Sequence, residues 1–250
     1  MLKVKNYKKK VWDNKFLMIN YDSLQSMWIM YNWIVDWEEF NLIKDSVKED
    51  QICFDVGANM GFYSIWLSKF TNNKIYSFEP NKKNYDRLIE NISINKGANI
   101  IANNCGLSDQ SGSAKFTKSR DGENHIVLEK TDLSTETIQL QTIDEVIETN
   151  NIERIGYLKI DVEGFELNVL KGAKLCLKKK QVDIIQLEIN NSIHNSHHSI
   201  QDLVTFLESY GYPLASYHPK QKLISLTNYT PSRENYFAVH DIDKLNSILN

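Results

Sequence analysis

The chain has 250 residues, 42% of them apolar and 24% charged, with a formal net charge of −3. That length and apolar share support one sizeable α/β domain with its own core, and the near-balanced charge argues against a broad nucleic-acid-binding face. No uninterrupted apolar run of about 18 residues exists, so no membrane span is expected. Met1 to Lys10 is basic but lacks an apolar signal core, which makes the cytoplasm the expected location. Cys53, Cys105 and Cys176 are widely spaced and form no C-x-x-C, so they read as buried, reduced core thiols.

Residues 1–50 carry four of the five tryptophans: Trp12, Trp28, Trp33 and Trp37. They read as an N-terminal extension packed over a core of residues 51–250, or over a second subunit in a homodimer. Plain core packing and a carbohydrate-stacking surface would each account for the rings.

The apolar run Ile52-Cys53-Phe54 then enters Asp55-Val56-Gly57-Ala58-Asn59-Met60-Gly61. A hydrophobic strand running into a glycine-punctuated turn and a helix presents backbone N–H groups to a ligand. A dinucleotide fingerprint wants a glycine in the middle of that turn, where the backbone touches a pyrophosphate. Here that position is Asn59. A D-x-G-x-N-x-G turn suits a smaller, amino-acid-like group beside a nucleoside, as in S-adenosylmethionine. The next strand, Lys74 to Phe78, ends in Glu79-Pro80. An acid there, about 20 residues past the turn, can accept both hydroxyls of a ribose and would repel a 2′-phosphate.

Between these strands Phe62, Ile65, Trp66 and Phe70 share one stripe of a helix expected over Tyr63 to Phe70. Asn81 is the expected N-cap of a helix through Asn95 that carries Tyr85, Leu88, Ile89 and Ile92 inward. Ile100 to Cys105 reads as a third strand, and Ala114 to Thr117 with Ile138 to Gln141 as short peripheral ones. The polar segment Lys118 to Glu136 is longer than an ordinary loop, so it is either disordered or a lid. Thr142 caps a helix through Ile147.

A fourth strand, Gly156 to Ile160, ends at Asp161-Val162-Glu163-Gly164, followed by a helix through Lys171 with Gly172 as its C-cap. The nearly all-apolar Val182 to Leu187 reads as a central strand, ending at Glu188-Ile189-Asn190. Helix Ile200 to Tyr210 and an antiparallel pair, Leu214 to Tyr217 with Tyr236 to His240, close the chain. The alternation implies a seven-stranded, mostly parallel sheet with an antiparallel C-terminal strand and helices on both faces.

Several separate blocks together resemble the FkbM-type methyltransferases. They are Asp55-Val-Gly-Ala-Asn-Met-Gly-Phe-Tyr-Ser, Phe78-Glu-Pro-Asn, Gly106-Leu-Ser-Asp, Thr142-Ile-Asp-Glu, Lys159-Ile-Asp-Val-Glu-Gly-Phe-Glu, Val169-Leu-Lys-Gly-Ala and Leu187-Glu-Ile. Their order and spacing agree from about Trp37 to Asn190. The resemblance implies a class I, Rossmann-like fold and S-adenosylmethionine-dependent O-methyl transfer to a sugar, glycan or other small hydroxyl compound. It also implies that Asp55, Gly57, Ala58, Asn59 and Gly61 line the methionine end of the cofactor, with Tyr63 and Ser64 starting the helix beneath. Glu79 would hold the ribose, Pro80 and Asn81 the adenine edge, and Asn104 a position near the adenine. Glu38 is loosely matched to an acid near the methionine amine.

A sulfonium methyl is already electrophilic, so the protein must align an acceptor oxygen and help remove its proton. Such groups belong at the carboxyl ends of the strands. Asp161 is the expected base or proton-acceptor anchor and, with Glu188 orienting the acceptor hydroxyl, forms a pair of carboxyls able to push one pKa upward. Glu163 is either a third member or a helix N-terminal acid. His194, His197 and His198 would share one helical face, His194 being a candidate base or acceptor contact and the alternative an exposed loop. Asp161, Glu188 and Asn190 could instead offer oxygens to magnesium or calcium, a divalent-metal-assisted variant that is not favoured. A non-catalytic S-adenosylmethionine-binding protein is the reading outside enzymes.

Overall fold

The computed structural model describes residues 6–12, 15–20, 36–118, 124–128 and 132–250. An N-terminal hairpin of β1 (Asn6–Trp12) and β2 (Lys15–Asn20) precedes α1 (Trp37–Ser46). The core follows as β3 (Ile52–Val56), α2 (Phe62–Leu67), β4 (Ile75–Phe78), α3 (Lys82–Ser93) and β5 (Ile100–Asn103). After β6 (Gly106–Leu107), β7 (Gly112–Thr117), β8 (Thr135–Gln141) and α4 (Ile143–Thr149), β9 (Ile155–Ile160) returns to the main sheet. Then come α5 (Glu166–Lys171), α6 (Lys174–Lys178), β10 (Val182–Glu188) and a 3₁₀ turn, Asn191–Ser196. The chain ends with α7 (Ile200–Ser209), β11 (Leu214–His218), β12 (Leu223–Leu226), β13 (Asn235–Val239) and α8 (Ile242–Leu249).

The main sheet runs β12-β11-β13-β10-β9-β3-β4-β5. Strands β10, β9, β3, β4 and β5 pair in parallel, while β13, β11 and β12 add antiparallel pairings. The fold is therefore the mostly parallel α/β sheet that the resemblance implies, with eight strands rather than the expected seven. The extra strand, β12, is a four-residue edge strand whose ends Leu223 and Leu226 are exposed, so it has little apolar signal of its own. The chain reverses direction across the sheet between β3 and β9, and such a switch point leaves a crevice at the strands' carboxyl ends.

Two apolar clusters sandwich the sheet. One joins Phe54, Leu158, Ile160 and Leu187 to α4, α5 and α7. The other packs Cys53, Tyr157 and Phe237 against α1 and α8. All three cysteines are buried with free thiols. No helix among the described residues is long and apolar enough to cross a membrane.

The capping expectations are met by hydrogen bonds. Asn81 Oδ1 accepts from Asn84 N, and Thr142 with Glu145 forms a complete capping box. Gly172 does end α5, but its φ of −78° needs no glycine. The requirement is space, because a Cβ there would lie 2.0 Å from Ser108 O. Helix α3 turns Leu88 inward as expected but otherwise departs: Ile89 is 42% exposed, and Arg87 and Asn91 are turned in. The reason is the hairpin, since Asn95 Oδ1 accepts from Phe16 N and Asn91 Oδ1 from Met18 N. Leu17 and Ile19 are fully buried there with Met60 and Ile65. Trp12 packs among Phe40, Phe62 and Trp66, whereas Trp37 is 61% exposed. Trp28 and Trp33 lie outside the described residues.

Candidate active site

The crevice begins where β3 ends. Gly57 has φ +81°, and a Cβ on it would stand 1.8 Å from Asp161 O, so the turn and the end of β9 touch through backbone. Gly57 N and Ala58 N both donate to Phe78 O, tying the turn to β4. Asn59 adopts φ 48°, a left-handed conformation that asparagine tolerates. Its amide donates to Glu79 Oε2 at 2.8 Å, while Asn81 N donates to Oε1 at 2.8 Å. Glu79 is thus clamped between the two halves of the motif. Burial pushes its carboxyl up to about 7 against the pull of those two amides.

A cavity of about 280 Å³ opens over this clamp. Val56, Gly57, Asn59, Glu79 and Pro80 line one part of it, and Asp161, Glu163 and Glu188 another. Phe78, Leu107, Phe116, Ile126 and Ile138 give it an apolar wall. Part of that wall comes from a separate sheet of β6, β8 and β7, with Ile126 held by a bridge to Phe116. Of the described part of the expected lid segment, Asn124 and Ile126 line the cavity; Asp121-Gly122 lies outside the described residues. Asn84, from the first turn of α3, also reaches the cavity. Phe116, Ile126, Ile138 and Asn84 carried no sequence signal as cavity residues, because β7, β8 and the bridge meet only in the folded chain.

Several expected cofactor residues sit behind the wall and do not line it. Asp55 is fully buried and accepts from Ser64 Oγ at 2.5 Å, and Ser64 is itself within 2.7 Å of Ser77. Burial raises the Asp55 pKa. Tyr63 donates to Asp36 Oδ2 at 2.7 Å and accepts from Gln186 Nε2. Asn81 caps α3 and donates to Glu136, and exposed Asn104 donates to the carbonyls of Glu79 and Pro80. Ala58 and Gly61 shape the turn: the Gly61 amide donates to Ala58 O, and a Cβ on Gly61 would meet Leu88. Glu38 is not brought to the cavity at all. Arg233 takes its carboxylate at 2.5 Å in a different cleft.

At the other end of the cavity Asp161, Glu163 and Glu188 each offer an oxygen within 4.8 Å of the others. Sequence reasoning quoted Lys159 in its motif but gave it no role, and this residue organises the group. Its ammonium is 5% exposed, donates to Asp161 Oδ2 at 2.9 Å and lies 3.9 Å from Asp55. A charged lysine on a strand between two acids was readable only once the strand's inward face was known. Burial opposes ionisation of Asp161, but Lys159 and the hydrogen bonds from Glu188 and Lys159 hold its carboxyl below the usual range. Glu188, beside that carboxylate and partly buried, is pushed up to about 10. The pair therefore shares one proton near neutral pH, with Asp161 charged.

Glu163 adopts φ 52° in a turn held by Asn195 and Ser196, which donate to the carbonyls of Glu163 and Gly164. The acid that satisfies the start of α5 is instead Glu166, which accepts from Val162 N and Gly164 N. Asn190 Oδ1 accepts from Ser192 N, capping the 3₁₀ turn, and Asn190 is not among the residues lining the cavity. The histidines do not share a helical face. A 3₁₀ turn leaves His194 exposed and off the cavity wall, His197 is left-handed, and His198 pairs with Lys171 at 3.1 Å.

The methyltransferase FkbM domain matches residues 55–214. The chain belongs to the FkbM methyltransferase family. It is 31% identical over 165 residues to the hexuronic acid methyltransferase AglP of Haloferax volcanii, covering 66% of this chain and 67% of that protein. It is 26% identical over 197 residues to methyltransferase 1 of Beauveria bassiana, covering 68% and 76%. The FkbM methyltransferase structure from Methylobacillus flagellatus aligns with TM-score 0.49 and 18% identity, over 78% of this chain and 44% of that one.

S-adenosylmethionine is the family's methyl donor, and the residues present fit it. A buried carboxyl at the end of β4, an apolar slot beside it and a glycine turn with no room for a side chain suit an adenosyl group.

Proposed function

We propose that the chain transfers a methyl group from S-adenosylmethionine to a hydroxyl of a sugar or glycan. The observation that carries this reading is the Asp161–Glu188 pair on the cavity wall, across the switch point from Gly57. In it, Glu79 takes the ribose hydroxyls, Pro80 and the apolar wall take the base, and Gly57 and Asn59 flank the amino-acid part. Asp55, Tyr63 and Ser64 support this turn from behind.

Bound S-adenosylmethionine supplies an electrophilic methyl carbon and a neutral thioether leaving group. The acceptor oxygen must be held about 3 Å from that carbon, in line with the sulfur. Glu188, protonated, donates to or orients the sugar, and charged Asp161 accepts from the reacting hydroxyl. The oxygen lone pair forms the new O–C bond as the C–S pair departs to sulfur, and the hydroxyl proton passes to Asp161. A weak base suffices, because the proton leaves an oxygen made strongly acidic by the incoming methyl. The hexuronic acid methyltransferase among the relatives supports a glycan acceptor.

The cluster of Asp161, Glu163 and Glu188 favours a second reading, in which a divalent cation binds the acceptor. Lys159 opposes it by placing a positive charge 2.9 Å from Asp161. Labelled methyl donor and a panel of glycosides test the main reading: methylated sugar with S-adenosylhomocysteine is expected. Binding of the donor with no transfer to any hydroxyl acceptor would leave a binding protein. Turnover undiminished by excess EDTA removes the metal.

A further inference from the structure

One strand pairing away from Glu188 a second cleft, of about 520 Å³, opens at the start of α1. One wall is Asp36 to Glu39, and the other is Pro231 to Asn235, the segment leading into β13. We propose that this cleft holds a neutral sugar unit of the acceptor, with the Trp37 ring against its C–H face. The inference rests on the sugar O-methyltransferase reading and assigns that reading its acceptor subsite and charge preference.

Position is the first argument. Asn235 pairs with Glu188 in register, and the Ile189 amide donates to Glu234 O at 2.7 Å. Asp36 holds the Tyr63 hydroxyl in the first turn of α2, just past the glycine turn. The cleft therefore shares the carboxyl edge of the sheet with Asp161 and Glu188, and a sugar chain reaching one carboxyl pair passes the other wall.

Chemistry is the second. Trp37 is 61% exposed among the described residues, beside polar groups from both walls. A pyranose presents an apolar C–H face and a rim of hydroxyls, which is the complement of one indole face ringed by carboxyls. No cofactor contact explains this tryptophan, since Trp37 is not on the cavity wall.

Charge decides which sugar. Asp36, Glu38 and Glu234 stand against Arg233, the one cation lining the cleft among the described residues, while burial pushes the Glu39 carboxyl up to about 7. Arg233 is already engaged: Nη2 pairs with Glu38, Nε donates to Asn235 O, and the guanidinium lies over Tyr236. A uronic acid would bring its carboxylate into an excess of negative charge, with no free cation among the described lining residues to meet it, whereas neutral hydroxyls can donate to the acids. Both walls also fall outside residues 55–214, so the shared family segment supplies the donor cavity and the flanking segments would supply acceptor choice.

The test uses the full chain, labelled methyl donor, and methyl glycosides of neutral hexoses, 6-deoxyhexoses and hexuronic acids. Neutral glycosides should be methylated with at least roughly tenfold higher kcat/KM than uronates. Trp37→Ala should raise the acceptor KM roughly five- to tenfold with kcat and donor affinity unchanged. Glu38→Gln should release Arg233 and narrow the gap between neutral and uronic acceptors. An unchanged acceptor KM in Trp37→Ala, or a wild-type preference for uronates, overturns the subsite while the transfer reading stands. Failure to methylate any glycoside sinks the transfer reading itself.

Discussion

The turn after β3 and the cleft beside Trp37 face the same edge of the sheet, yet they are built in opposite ways. The turn is backbone held by backbone. Gly57 and Ala58 donate to Phe78 O, and the Asn59 and Asn81 amides close on Glu79. The cleft is side chains from residues about two hundred positions apart, joined by the pair Glu38–Arg233. A geometry held by many short backbone bonds leaves little room for variation, and the sequence pattern that specifies it is correspondingly plain. A surface assembled from scattered side chains can change partner by partner without disturbing the sheet. Donor binding and acceptor choice are thus separable here in physical terms.

The largest effect should come from the seam between the two regions. Asp161→Asn is expected to lower turnover on the order of 10²–10⁴-fold while donor affinity changes little, checked by single-turnover kinetics beside calorimetry. Equal losses in both quantities would move Asp161 into the donor half. Glu79→Ala should cost on the order of 2–4 kcal/mol of donor binding, because two charge-assisted bonds to the ribose are lost and two amides lose their acceptor.

The Glu79 carboxyl also makes the comparison sensitive to pH. Its folded pKa, about 7, lies above the ordinary 4.5, so the folded chain holds that proton more tightly. Between those values the ligand-free protein loses stability as pH rises. Donor binding needs the ionised form, so affinity should climb as pH passes upward through about 7. In Glu79→Gln the profile should be flat; a slope that survives assigns the titration elsewhere. Read on stability, Gly57→Ala should cost about 2 kcal/mol or more, roughly 4–8 °C in Tm, from its left-handed φ and its clash with Asp161 O, and it should weaken donor binding with it. An unchanged melting curve would mean that the turn is not the rigid part.

Much of the fold was legible because β3, β4, β9 and β10 are apolar runs ending in turn residues, and Asn81 and Thr142 announce their helices. The misreadings share one cause. Ile89 was assigned inward by helical period, but the β1–β2 hairpin demanded amide partners, so Asn91 and Asn95 took the inner face. The helical-face reading of His194 gave way to its exposed alternative, because the segment is a 3₁₀ turn, and Glu38, loosely matched through the resemblance, is claimed by Arg233 from the far end of the chain. Lys159 stayed silent because a lysine within a strand normally reads as an outward position, and its two acid partners meet it only across β3 and beyond the end of β9.

By itself the sequence determined the glycine turn and the acid after β4, since these follow from local backbone preferences and spacing, and the family through the resemblance of several separate motif blocks. Tertiary structure alone decided that Asp55 and Ser64 lie behind the cavity wall, that Lys159 holds the Asp161 carboxyl low while Glu188 beside it is pushed up, and that Trp37 and Arg233 line one cleft. Each of these depends on which groups are brought within a few ångströms in a medium that screens charge poorly, and proximity of that kind is a property of the packed sheet rather than of any segment in it.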